Sequence, residues 1–282
     1  MELLYCGDRN AEDGILISLL SVLKQETAEL HVRVLTMECR TSTHVYQKIP
    51  PFFAGYLDKL AKEKNPGNWV RLYDMTSQFK AEPPAPNMET RFSPLCMLRL
   101  YVDLLDDLPD RLLYLDADVI ARAPLDGLYN TDMEGYEIAG VLDYYGRWFF
   151  HHGRHVFDYL NSGVLVMNMV QIRKSGLLRR CRHMCATQQL FMPDQSALNK
   201  LAAEKKLLPR RYNEQRRLHR RTILQHFTTS FRFLPWLHAV TVKPWQVDRM
   251  HDVLHLHVYD DLLSQYAYHM SAIRSQGEVQ NG

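Results

Sequence analysis

Residues 111–120 place the tightest limit on what this chain can fold into. Arg111-Leu112-Leu113-Tyr114-Leu115 is an apolar run, Asp116-Ala117-Asp118 follows it directly, and Val119-Ile120 resumes the apolar pattern. A continuous run of this kind fits a strand covered on both faces, the position of a central strand in a parallel sheet. Two carboxylates then emerge from the protein centre rather than from a solvated tip. Residues i and i+2 of an extended chain project to the same side, so Asp116 and Asp118 can aim at one point. Left unpaired there, the charges would be strongly destabilising. A hard divalent cation such as Mn2+ or Mg2+ removes the conflict, because such ions prefer oxygen ligands and complete their shell from substrate phosphates. Taken alone, the tripeptide suits a turn with a capping aspartate better than a metal site.

The rest of the chain decides between those two readings. Strand-like Glu2-Leu3-Leu4-Tyr5-Cys6 is followed by the polar turn Gly7-Asp8-Arg9-Asn10. After it come helix-spaced Ile15, Leu16, Leu19, Leu20 and Leu23, then the strand pattern His31-Val32-Arg33-Val34-Leu35-Thr36. A helix is expected over 52–63, a strand over 69–73, a Pro-broken loop at 82–86, and a helix over 93–105 with Leu95, Leu98, Tyr101, Val102 and Leu105 on one face. Alternation of this kind predicts an α/β fold with a mostly parallel sheet. Ligands of such sheets gather outside the carboxyl ends of the strands. Asp8 and Asn10 stand at one such end, Asp116 and Asp118 at another.

Composition removes several classes of function. Lys+Arg minus Asp+Glu is 34 − 32 = +2 over 282 residues, too balanced for a dedicated nucleic-acid binder. No stretch reaches the ~18 apolar residues of a membrane span. Met1-Glu2 runs into the first strand without a basic, apolar leader, so a cytoplasmic protein is expected. The five cysteines, Cys6, Cys39, Cys96, Cys181 and Cys185, are scattered with no C-x-x-C pair, which fits reduced thiols.

Several segments together resemble glycosyltransferase family 8, the retaining nucleotide-sugar transferases of GT-A fold that include lipopolysaccharide galactosyl- and glucosyltransferases. Leu113-Tyr114-Leu115-Asp116-Ala117-Asp118-Val119-Ile120 is similar to that family's metal-binding segment, and Cys6-Gly7-Asp8-Arg9-Asn10 to its first strand and uridine-contacting turn. Met97-Leu98-Arg99-Leu100 resembles the helix whose arginine faces the donor, and Gly140-Val141-Leu142-Asp143 the strand ending in a sugar-contacting aspartate. Leu160-Asn161-Ser162-Gly163-Val164 resembles the Asn-x-Gly-Val stretch, and Pro193-Asp194-Gln195 the Asp-Gln segment. The likeness runs over most of residues 2–245. It implies an α/β protein of GT-A fold, a Rossmann-like mixed, mostly parallel central sheet flanked by helices with a C-terminal helical segment, and a catalytic domain over 1–245, with 246–282 as an extension packed on it or serving acceptor and membrane contacts.

The resemblance also assigns roles. Asp116, Asp118 and His226 would hold Mn2+ or Mg2+. Asp8 would accept from the uracil N–H, Asn10 would hold the ribose, and Cys6 and Ser162 would line the donor site. Arg99 would add cationic stabilisation to the departing UDP. Asp143, Asn161, Asp194 and Gln195 would bond the sugar hydroxyls, with Gln195 near the anomeric face. One departure stands out. The family follows its histidine with Phe-x-Gly and then Lys-Pro-Trp, whereas here Gln225-His226-Phe227-Thr228-Thr229-Ser230-Phe231-Arg232 puts Thr229 at the glycine and Arg232 at the lysine. Lys243-Pro244-Trp245 comes later. Arg232 is the favoured diphosphate cation because its fork fits phosphate oxygens, and Lys243 is its rival.

The expected activity is therefore metal-dependent transfer of galactose or glucose from a UDP-sugar to a glycan or glycolipid acceptor, with retention and an α-linkage. A non-catalytic nucleotide-sugar or glycan-binding protein of the same fold is the alternative, kept open by Thr229 and Arg232. Mg-dependent phosphatases of the haloacid dehalogenase type fit worse, since they want Thr or Val where Ile120 stands. Self-glycosylation is a further option, with 15 tyrosines but no particular acceptor singled out. The aromatic segment 143–152 fits an acceptor cleft or a lid as well as it fits core packing. The basic stretch 200–221, preceded by Arg179, Arg180 and Arg182, fits a solvated face or peripheral contact with an anionic membrane. His255 and His257 have strand-like spacing, but without a third ligand they read as ordinary histidines of a C-terminal segment.

Overall fold

The computed structural model describes residues 1–144, 158–232 and 238–281, with the side chains of 230–239 and 278–281 outside the described set. The chain opens with β1 (Glu2–Cys6), α1 (Glu12–Gln25) and β2 (His31–Thr36). It adds a small hairpin of β3 (Cys39–Arg40) and β4 (Val45–Tyr46), then α2 (Pro51–Lys64), β5 (Trp69–Asp74) and α3 (Thr76–Ala81). A helix over Pro94–Leu104 leads to β6 (Arg111–Leu115), β7 (Val119–Ala121), α4 (Asp126–Tyr129), β8 (Ile138–Leu142) and β9 (Leu160–Asn168). Next are α5 (Met169–Ser175), α6 (Leu177–Thr187), α7 (Pro193–Leu201) and β10 (Lys205–Leu207). The chain ends with β11 (Leu224–His226), β12 (Ser230–Arg232), β13 (His238–Val240), α8 (Val247–Asp252) and α9 (Asp260–Asn281).

Seven strands form the central sheet in the order β10-β8-β9-β6-β1-β2-β5. The pairs of β1 with β2 and β6, of β2 with β5 and of β8 with β10 are parallel, while β9 runs antiparallel to both β6 and β8. The sheet is thus mostly parallel, as the alternation of elements predicts, and mixed because β9 is reversed. Strand alternation divides the core in two. Leu3 and Tyr5 of β1 and Leu113 and Leu115 of β6 face α1 and α2, whereas Leu4, Leu112 and Tyr114 face the Pro94–Leu104 helix and α6. Each fully buried leucine contributes roughly 1.5–3 kcal/mol relative to its exposed state.

α1 is buried along its whole middle, from Gly14 to Leu23. A helix apolar on all sides must be covered on all sides. α9 supplies the outer cover with Leu262, Leu263, Tyr266, Met270 and Ile273, and the Tyr266 hydroxyl donates to Asp13 at 2.6 Å. The helix expected over 93–105 is present but wound as successive 3-10 turns over Pro94–Leu104. Ser93 starts it, its hydroxyl accepting from the Leu95 N–H at 3.2 Å. Three residues per turn align Cys96, Arg99 and Val102, a spacing that hydrophobic periodicity alone does not separate from an α-helix.

Glu12, the first residue of α1, has a buried Oε1 with no hydrogen-bond partner among the described residues. Burial pushes its carboxyl up to about 7 from the ordinary 4.5, Asp13 and Asp8 add to the rise, and Arg9 opposes it. Between those two values the folded state keeps a proton that the unfolded state has released, so stability falls as pH rises through the window. Glu12→Gln is therefore expected to raise Tm by about 3 °C near pH ~8 and to leave it unchanged near pH ~4. Thermal melts at the two pH values check this, and an equal shift at both would refute the assignment.

Candidate active site

The turn after β6 builds the floor of the site. The Asp116 N–H donates to the Gly163 carbonyl of β9 at 2.8 Å, and the Val119 N–H closes back on the Asp116 carbonyl at 3.1 Å. β7 then pairs antiparallel with β11, setting Val119 opposite His226. That register delivers the imidazole to the carboxylates. His226 Nε2 lies 3.2 Å from Asp118 Oδ1 and 3.6 Å from Asp116 Oδ2. One ligand atom from each of the three residues lies within 4.8 Å of the others. Close packing of α1 against this turn requires Gly14, where a Cβ would come 2.6 Å from the Ala117 carbonyl oxygen and 2.7 Å from the Trp245 ring.

His226 is held from behind. Its Nδ1 lies 3.1 Å from Asn213 Oδ1, and Asn213 Nδ2 donates to Asn161 Oδ1 at 2.9 Å. With Nδ1 engaged by that amide, Nε2 is the ring nitrogen turned to the carboxylates, the orientation a metal ligand needs. Burial raises the Asp118 carboxyl, but Lys243 and His226 outweigh it and hold the group below its ordinary value. Lys243 Nζ donates to Asp118 and, at 3.1 Å, to the Phe227 carbonyl.

Arg99 lies beneath the pair, 4% exposed, with its guanidinium 4.0 Å from the Tyr114 ring centroid. It donates to Asp116 Oδ1 at 2.9 Å, to the Cys96 carbonyl at 3.0 Å and to the Ser162 carbonyl, and pairs with Asp194 at 3.3 Å. Arg99 also lines the cleft, and from beneath the site its guanidinium holds Asp116 and Asp194 in place. Burial pushes the Tyr114 hydroxyl well above its ordinary pKa, against the pull of Arg99, so it stays protonated and donates to Asp116 at 2.5 Å.

A cleft of about 300 Å³ opens over this floor, lined among others by Asp143, Asn161, Ser162, Asp194, Gln195 and Lys243. Gln195 is fixed at both ends: Nε2 donates to Asp143 at 2.7 Å, and Oε1 accepts from the Ser162 N–H at 2.9 Å. The Ser162 hydroxyl donates to Asp194 at 3.1 Å. Phe92 and Phe191 meet edge to face near the cleft, ring centroids 6.2 Å apart.

Not every expected site residue lines this cleft. Cys6, Asp8 and Asn10 are at the end of β1 but are not among the residues lining this cleft. Asp8 is buried, and Asn10 Nδ2 donates to it at 2.7 Å. Arg232 ends β12, with its side chain outside the described residues. Of the aromatic segment, Asp143 and Tyr144 are described, and 145–157 lie outside the described residues. Sequence reasoning missed Asn213, Tyr114 and Gly163. Asn213 sits in the basic stretch, where Arg210, Arg211, Arg216, Arg217, Arg220 and Arg221 are exposed while Asn213, Glu214 and Gln215 between them are buried. The buried polar trio amid arginines was the available signal. Arg182 does not belong to that surface, since it is buried against Asp103 at 2.5 Å and Glu82 at 3.3 Å.

Solved structures show the fold. An active-site mutant of LgtC matches with a TM-score of 0.68 over 95% of both chains at 17% identity. The apo form of the bifunctional glycosyltransferase WbbM matches with a TM-score of 0.71 over 98% of this chain and 51% of its own, at 14% identity. The fold is the GT-A fold of glycosyltransferases. Within that class, the model of Glycosyl transferase family 8 matches residues 2–248, and the chain belongs to this family. Glycosyltransferase GlyA of Streptococcus pneumoniae serotype 4 is 34% identical over 98 residues, which are 34% of this chain and 13% of GlyA's own length.

Proposed function

We propose that the protein is a metal-dependent retaining glycosyltransferase that moves a hexose, galactose or glucose, from a UDP-sugar to a glycan or glycolipid acceptor, forming an α-linkage. The convergence of Asp116, Asp118 and His226 in the cleft, with the imidazole set by Asn213, carries this reading. Two carboxylates and one imidazole fit Mn2+ or Mg2+, with Mn2+ favoured by the nitrogen ligand. Bound there, such an ion would stabilise the negative charge that develops on the departing diphosphate.

The chain's own residues prepare the reaction around that point. Arg99 and Tyr114 fix the orientation of Asp116, leaving its Oδ2 on the His226 side. Arg232, the cation favoured from the motif, and its rival Lys243, which lines the cleft beside Asp118, are the two candidates for the diphosphate contact. We assign Asp143, Asn161, Asp194 and Ser162 to the sugar and donor contacts, and Asp8, Asn10 and Cys6 to the nucleoside. Gln195 is a neutral amide with both ends engaged, a poor nucleophile, which supports front-face attack by the acceptor hydroxyl over a covalent intermediate.

We place the catalytic unit at 1–245 and treat 246–282 as an extension. No helix among the described residues is long and apolar enough to cross a membrane. The exposed arginines of 200–221 support peripheral contact with an anionic membrane surface, at the cytoplasmic face. Proton NMR of the first hexose released from the accepted UDP-α-hexose tests the stereochemistry. The α-anomer is expected to appear first. The β-anomer appearing first would mean inversion and overturn the mechanism, and UDP binding without turnover would favour the non-catalytic alternative.

A further inference from the structure

A second cluster of ligating side chains lies outside the cleft. His251 in α8, His257 in the turn that follows, and Asp260, the first residue of α9, converge there. His251 Nε2 is 2.7 Å from Asp260 Oδ1, and His257 Nδ1 is 3.7 Å from Asp260 Oδ2. The two imidazoles stack with centroids 4.4 Å apart and planes inclined by 24°. One ligand atom from each residue lies within 4.8 Å of the others. The strand-like spacing of His255 and His257 forms no strand here. His255 instead takes a left-handed backbone conformation at φ 54°, and the turn closes through the Leu256 N–H on the Met250 carbonyl at 3.0 Å. That turn brings His257 back over His251 and supplies the third ligand a linear reading lacks.

We propose that His251, His257 and Asp260 bind a divalent transition-metal ion of the zinc type, at a site separate from the cleft. Two imidazoles and one carboxylate make a nitrogen-rich donor set that leaves a fourth position for water, the ligand types and number Zn2+ accepts. The cleft offers the opposite balance, one imidazole and two carboxylates, and suits a harder ion. The two sites thereby sort ions by ligand type. The side chains of His257 and Asp260 are 66% and 49% exposed, so an ion can reach them and the rings can turn to close on it. The α9 N-terminus carries roughly half a positive charge, which opposes a cation. Asp260 and Asp261 in its first turn outweigh that.

Such an ion would pin α8 to α9 behind the cleft. Tyr259, beside Asp260, donates its hydroxyl to Gln225, the neighbour of His226, and α8 begins shortly after Lys243. His251, His257 and Asp260 fall beyond the 2–248 span of the family match, so the site belongs to this chain's own C-terminal segment.

Calorimetric titration with Zn2+ tests the proposal on the full chain, free of any histidine tag and carrying Asp116→Asn/Asp118→Asn to silence the cleft. It is compared with the same chain with His257→Ala added, a change at a mostly exposed position. One equivalent of Zn2+ is expected to bind the first and to be lost from the second. Zn2+ should likewise raise Tm only where His257 is present. Repeating the melts with the native cleft in excess Mn2+ guards against damage from the paired substitution. Zn2+ binding and Tm shift that are the same with and without His257, or absent from both, would overturn the proposal, leaving adventitious surface histidines only.

Discussion

Gly163→Ala is expected to lower turnover by at least ~100-fold while the chain stays folded. Gly163 lies in β9 next to the site floor, and its backbone is not in the left-handed region, so alanine meets no conformational penalty there. The conflict is steric and local. A Cβ at this position would stand 2.1 Å from His226 Cε1 and 2.7 Å from Asp116 Oδ2. Both neighbours must move, and both are ligands of the proposed metal. Overpacking of this kind costs about 1–3 kcal/mol, less than the ~5–15 kcal/mol that holds a typical domain together. Thermal melts and Mn2+ affinity measured beside UDP release separate the effects. Wild-type Mn2+ affinity and turnover in a folded Gly163→Ala chain would contradict the geometry of the site.

The second large effect is expected at a residue that need not touch substrate. Asn213→Ala removes the partner of His226 Nδ1 and the donor to Asn161 together. The imidazole is then free to rotate or change tautomer, and losses of such supporting partners typically weaken metal affinity or activity about 10–100-fold. Asn213→Asp keeps an acceptor for Nδ1–H and is expected to retain most of the Mn2+ affinity. Titration of each variant with Mn2+ checks the pair. Equal weakening in both would show that the link to Asn161, not the hold on His226, is what Asn213 supplies.

Local pattern carried much of the fold and the centre of the site. The apolar run of β6 and the i, i+2 spacing of Asp116 and Asp118 are consecutive in sequence, so the strand and its paired carboxylates were readable before any tertiary contact was known. His226 followed from the family motif. Asn213 did not, because its partners Asn161 and His226 lie 52 and 13 residues away, and it is the bridge of Glu214 with Gln225 that sets Asn213 beside His226. Arg99 was legible as a site residue but its protein partners were not, since they depend on β9 supplying the Ser162 carbonyl and α7 supplying Asp194. The reversed direction of β9 was equally hidden, as alternation marks a strand without giving its sense. For the histidines of the C-terminal segment, two-residue spacing pointed to a strand, whereas the left-handed turn at His255 joins residues that periodicity would not pair.

The most direct test of the proposed chemistry is release of UDP from a panel of UDP-sugars, in Mn2+ and in EDTA. The native chain is compared with Asp116→Asn/Asp118→Asn. Release from one hexose donor, dependent on the metal and abolished by the paired substitution, is the predicted result. Release that persists in EDTA or survives loss of both carboxylates would contradict a metal-centred transferase site.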